Sequence, residues 1–329
     1  MALRPFFLSI LGLLVLPLAA SAQSLGDVGT FSITASPQYP RPFEQVTITP
    51  LSGQLDITNA TMTVTVNKKQ TYKGNAAPVG VPVGAVGTLT TVTVTLTSNG
   101  TSSTRSLSFR PQDLSLIVEP LASTPVLYPG KPAVPLGGSV RIVAVADLRS
   151  TSGKALDPSQ LSYNWTVDEA RLSVDSGIGR DTILVASPAQ YRSRTVSLIV
   201  TSQDGSAVSG NSLTLTDESP VVRVYERDPL LGILFDRAIV NTFSIPSAEK
   251  TLFVAPYALP SNGTSPRLQW FLNGSAAQTG PVITLRPTGT GGGSASLSIV
   301  ASVGDSATAT ANLSLTFGAP KGGLGIFGL

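Results

Sequence analysis

The chain has 329 residues, 42% of them hydrophobic and only 12% charged, which provides for sizeable cores and excludes a charged, disordered polymer. The formal charge of +3 is scattered, with Lys68-Lys69 the one basic pair, so there is no nucleic-acid footprint. With no histidine and no cysteine, the usual general base, the commonest zinc ligands, the thiolate nucleophile and disulfide staples are all missing.

Residues 1–22 read as a signal peptide. Arg4 supplies the positive start, residues 6–18 the apolar stretch, and Ala20-Ser21-Ala22 a small-x-small cleavage site that leaves Gln23 first. The apolar run is short for a membrane span. No cysteine follows the site, which rules out lipid attachment there, and no later stretch is long and apolar enough to span a bilayer. The expectation is an exported protein, extracellular or in a cell envelope.

The rest is rich in Thr, Ser, Val, Gly and Pro, a mixture that favours strands joined by turns. Tyr39-Pro40-Arg41-Pro42 leads into the strand pattern Gln45-Val46-Thr47-Ile48. Ala60 to Asn67 alternates Thr with Met and Val as a half-buried strand does. Thr91 to Leu96, a turn at Ser98-Asn99-Gly100, and Arg105 to Phe109 then form a hairpin pattern, because Asn-Gly tolerates the positive φ of a tight turn.

This organisation recurs. Tyr128-Pro129-Gly130-Lys131-Pro132 leads into a strand from Ser139, and Leu161 to Asp168 is a strand centred on Trp165. Val196 to Val200 turns at Gln203-Asp204-Gly205 into Ser212 to Leu215. In the third unit Lys250 to Val254 takes the lead strand, Arg267 to Gly274 is centred on Trp270, and Leu297 to Val300 turns at Gly304-Asp305 into Asn312 to Phe317. Turn glycines 100, 205 and 304 lie 105 and 99 residues apart, and the two tryptophans lie 105 apart. One period of that length is one sandwich domain. Tryptophans at matched positions are expected in the interior between two sheets, the alternative being exposed rings that stack on a ligand.

The expected fold is all-β, with tandem immunoglobulin-like sandwiches over 23–111, 112–218 and 219–318, followed by a glycine-rich apolar tail, 319–329. One segment breaks the pattern. Asp228-Pro229 followed by Leu230, Leu231, Leu234 and Ala238 reads as a capped short helix or an ordered loop over 228–239.

Carboxylate pairs are the remaining source of chemistry: Asp168-Glu169, Asp217-Glu218, and Glu226 with Asp228. Asp217 and Glu218, at a domain boundary, are the weak candidates for calcium, though no run has the density of a calcium loop. No catalytic residue and no cofactor is expected. In the tail, Leu324, Ile326, Phe327 and Leu329 are the candidates for contact with a partner.

The motif Tyr163-x-Trp165-x-x-Asp168, the strand 196–200, the turn Asp204-Gly205 and Leu213-Thr214-Leu215 resemble bacterial surface proteins with tandem PKD-like or other immunoglobulin-like domains. The Asp-Gly-rich segment usual after the Trp is only Asp168-Glu169 here, and the first unit has no Trp, so the wider superfamily is the better match than PKD proper. The stretch 225–232 with the Tyr-Pro-Gly lead also resembles an uncharacterised exported family of candidate-phyla bacteria. The resemblance implies an envelope or surface setting and no activity. The function expected is a non-enzymatic structural or adhesive spacer, or a protein-interaction module, that meets envelope or surface proteins. The alternative is a carbohydrate-binding module, whose glycan would need exposed aromatics such as Tyr72, Tyr191 and Tyr257.

Overall fold

The computed structural model describes residues 31–52, 57–125, 128–246, 249–261, 263–287, 292–304 and 307–318. The signal peptide, its cleavage site and the tail with Leu324, Ile326, Phe327 and Leu329 lie outside the described residues. Among the described residues the chain is strand throughout, apart from one 3-10 turn, Pro158–Gln160. No helix among them is long and apolar enough to cross a membrane.

The first stretch holds β1 (Phe31–Ser36), β2 (Gln45–Ser52), β3 (Thr61–Val66), β4 (Lys69–Asn75), β5 (Val79–Pro82), β6 (Thr90–Ser98) and β7 (Thr101–Phe109). They form sheets of order β1-β2-β5 and β4-β3-β6-β7. The Thr-x-Thr alternation explains the result. Met62, Val64, Val92, Val94 and Leu96 turn inward and are fully buried, while the threonines between them turn outward.

The second stretch holds β8 (Asp113–Pro120), β9 (Ser139–Asp147), β10 (Ser162–Val167), β11 (Ala170–Arg171), β12 (Gly177–Ile178), β13 (Thr182–Ala186), β14 (Ser193–Thr201) and β15 (Val208–Thr216). One sheet runs β13-β9-β8 and the other β11-β10-β14-β15, with β12 also on β10. Between them lies a single apolar cluster that includes Ile142, Trp165, Ile183 and Leu198.

The third stretch holds β16 (Val221–Asp228), β17 (Gly232–Ile239), β18 (Thr242–Ile245), β19 (Lys250–Tyr257), β20 (Arg267–Leu272), β21 (Ser275–Thr279), β22 (Val282–Leu285), β23 (Gly293–Val303) and β24 (Ala307–Phe317). Its sheets run β17-β16-β19-β22 and β18-β24-β23-β20-β21, around a second cluster that includes Val254, Trp270, Ile283 and Ile299. The chain is thus built of immunoglobulin-like sandwiches in tandem.

The described residues divide into two compact units. One comprises those up to Ala35 with Thr47–Val79 and Thr91–Leu107; the other comprises Ser36–Val46, Gly80–Thr90 and everything from Ser108 on.

The segment 228–239 corrects the helical reading. It is the β16–β17 hairpin: the Asp228 carboxylate accepts from the N–H groups of Leu230 and Leu231 at 2.7 and 2.9 Å, and Gly232 turns the chain at φ +80°. Arg227 then pairs with Ile233 and Tyr225 with Ala238. An Asp that accepts from the next two or three N–H groups serves a turn as well as a helix N-terminus.

Candidate interaction surfaces

Both indoles are interior, with no exposed area. Trp165 sits opposite Leu198 and donates its ring N–H to the Arg180 carbonyl at 2.8 Å; Trp270 sits opposite Ile299 and donates to the Gly280 carbonyl at 2.8 Å. In the first stretch Val64, opposite Val94, fills the slot. Neither indole is placed to stack on a ligand.

The turn three and four residues beyond the slot is built the same way three times. Asn67 and Lys68, Asp168 and Glu169, and Asn273 and Gly274 all take positive φ. In each, the side-chain oxygen of the first residue reaches the neighbouring strand and accepts a backbone N–H at 2.9 Å: Asn67 from Thr91, Asp168 from Thr195, Asn273 from Ser296. The same residues donate their own N–H back to those partners' carbonyls. Asn and Asp suit this site because they tolerate the left-handed region and carry an acceptor oxygen on a short side chain, two bonds from Cβ.

The carboxylates do not converge. Asp168 pairs with Arg194 at 2.9 Å and Glu226 with Lys250 at 2.5 Å, while Asp228 caps its turn. Glu218 makes a parallel bridge to Pro135, its N–H donating to the Val134 carbonyl and its carbonyl accepting from Leu136. Among the described residues no group of three or more acidic side chains could hold a metal, so Asp217 and Glu218 have no third ligand of that kind. The tyrosines weighed for glycan stacking are not gathered either. Tyr191 is 93% exposed, Tyr72 donates to the Asn75 carbonyl, and Tyr257 is half-buried among other rings.

Those rings form a feature that the sequence did not reveal. Within the second unit, Tyr128 meets Tyr257 and Phe235 edge-on, at centroid distances of 5.0 and 6.0 Å, and Phe235 meets Tyr225 at 5.2 Å. The Tyr225 and Tyr257 hydroxyls share a 3.0 Å hydrogen bond. Burial, then the Tyr225 hydroxyl, pushes the Tyr257 phenol well above its ordinary range. Beside the rings, Ser123 N–H donates to the Leu259 carbonyl at 2.8 Å and Ser261 N–H to the Leu121 carbonyl at 2.9 Å, around an antiparallel bridge of Ala122 with Pro260. The only signal in the sequence was the Tyr-Pro lead, and its partners lie about a hundred residues away.

The Tyr39-Pro40 lead behaves similarly. The Tyr39 ring packs on Gly210, where an added Cβ would fall 2.4 Å from the ring. Tyr39, Arg41 and Glu44 form one wall of a shallow groove of about 480 Å3, opposite Ile199 and Asn211.

No protein-family model matches the chain, and no curated protein sequence matches it. Among solved structures it is similar to tandem arrays. The three N-terminal domains of the bacteriophage RB49 highly immunogenic outer capsid protein match at 15% identity and TM-score 0.24, covering 89% of this chain and all of that one. The central fibronectin-III array of RIM-binding protein matches at 11% identity and TM-score 0.27, covering 87% and 95%. The fibronectin(III)-like modules of Clostridium thermocellum CbhA match at 11% identity and TM-score 0.23, covering 60% and 94%. TM-scores of this size bear on neither activity nor partner.

Proposed function

We propose that the chain is a non-catalytic, exported protein of a cell envelope or surface, divided into modules at 111/112 and 218/219, that works as a structural or adhesive spacer. Its partners on this reading are other envelope or surface proteins, met through loops and open strand edges. The observation that carries the reading is the joint at 121–123 and 259–261. Two main-chain hydrogen bonds and a cluster of edge-packed rings tie the second sandwich to the third, where a plain linker would leave them free to turn. A spacer needs such a joint, because a hinged chain does not hold its loops at a fixed distance.

The chain has no native cysteine, so spin labels can be placed cleanly at Ser173→Cys and Ala277→Cys, both exposed. Pulsed electron–electron resonance on the full chain should give one narrow distance distribution, broadened by adding Tyr128→Ala. A broad distribution in the parent would refute the spacer reading.

A further inference from the structure

The outward face of β3, β6 and β7 carries a grid of hydroxyls, whose nine residues all lie within the first unit. Register places Thr61 beside Thr97, Thr63 beside Thr95 and Thr65 beside Thr93. Hydroxyl hydrogen bonds carry each row into β7: Thr97 with Ser102 at 2.8 Å, Thr95 with Thr104 at 3.0 Å, Thr93 with Ser106 at 2.9 Å. Strand geometry sets the mesh at about 4.8 Å across strands and about 6.7 Å along them, a patch of about 10 by 13 Å.

The fold does not require this grid. At the matching positions of the second sandwich Asn164 faces Ile199, and in the third Arg267 faces Ser302, Gln269 faces Val300 and Phe271 faces Ser298. Only the first sandwich has a hydroxyl at all nine points.

We propose that this face binds the surface of ice. Each hydroxyl pair uses one O–H as donor and leaves the other O–H and free lone pairs pointing outward. The result is a two-dimensional array of donors and acceptors whose spacings fall in the range of the oxygen layers of ice. Charge complementarity selects the same ligand. The nine points carry no charge, and charge enters only in the next column, at Lys73 beside Thr63; an uncharged lattice of hydrogen-bonding oxygens complements a neutral hydroxyl face. Sugar polymers are the less suitable occupant, because the grid has no aromatic ring for them to stack on. Sheet twist of roughly 20–25° per strand confines the match to about this width. The activity expected is therefore slowed recrystallisation and uptake into growing ice, without deep freezing-point depression.

The test freezes the full chain slowly beside an inert protein and measures its enrichment in the ice. It then repeats this with Thr95→Lys, at the grid centre, and with Thr201→Lys, at the matching edge of the second sandwich. Both variants are first checked for unchanged thermal unfolding. Enrichment of the parent and of Thr201→Lys, lost to the inert level in Thr95→Lys, supports the proposal. If Thr95→Lys fails to fold, Thr95→Val, which exchanges the hydroxyl for a methyl at nearly the same volume, replaces it. Parent enrichment no greater than the inert protein's, enrichment unaffected by both Thr95 variants, or retention on crystalline cellulose or chitin without enrichment in ice would each overturn it.

Discussion

The indole N–H of Trp165 donates to the backbone carbonyl of Arg180 at 2.8 Å, so a ring chosen for its bulk also satisfies a polar group inside the sandwich. Trp270 repeats the arrangement with Gly280. Replacing either Trp by Phe keeps much of the volume but strands that carbonyl, at a cost of about 1–3 kcal/mol. Replacing it by Ala also opens a cavity and costs about 3–5 kcal/mol. Guanidinium unfolding followed by circular dichroism reads the loss in the altered sandwich, while fluorescence of the remaining Trp, which lies in the other one, should keep its midpoint.

The three turn clasps predict a tolerance and an intolerance. Asn273→Asp should leave unfolding nearly unchanged, because Asp168 already does the same work in the second sandwich. Asn273→Ala loses the bond to Ser296 and places alanine at φ +49°, for a loss of about 1–2 kcal/mol. Thermal unfolding of the two variants, with Trp270 as reporter, checks the difference.

Asp204 makes the second sandwich acid-sensitive. The Ser202 hydroxyl, then the N–H and hydroxyl of Ser206, hold its carboxyl down at about 2. A carboxylate whose folded value is depressed stabilises the fold above its unfolded value of about 4, and that stability fades as pH falls toward the folded one. Asp204→Ala should therefore melt below the parent at pH 7. The gap should close between about pH 4 and pH 2, as read by melting temperature across that window.

Gly210→Ala should dislodge the Tyr39 ring, since the new methyl would occupy its place. The expected outcome is faster proteolytic cutting within residues 37–44, with the Trp165 signal unchanged.

Alternation and turn residues were enough to read the strands, the three late hairpins and the buried indoles, because those features depend on neighbours in sequence. Asn99-Gly100 and Asp204-Gly205 name their turns outright. The Asp228-Pro229 pair misled because a carboxylate accepting from the next N–H groups opens a turn and a helix alike, and only the pairing of Ile233 and Ala238 with β16 decides which. The ring cluster on Tyr128 and the packing of Tyr39 on Gly210 join residues far apart in sequence, and nothing local marks them. The hydroxyl grid falls between. Each Thr-x-Thr run was visible, but its alignment depends on a register between strands that one sequence does not state.

The slot shared by Val64, Trp165 and Trp270 has a consequence for how neighbouring repeats fold beside each other. Adjacent copies of one architecture invite strands to pair with the wrong neighbour. Here a strand from the first copy lodged in the second would leave a hole the size of an indole, and the reverse exchange would force an indole into a space shaped for valine. Unequal plugs at one shared address thus keep the strands of the first copy apart from those of the second and third, whose plugs match each other.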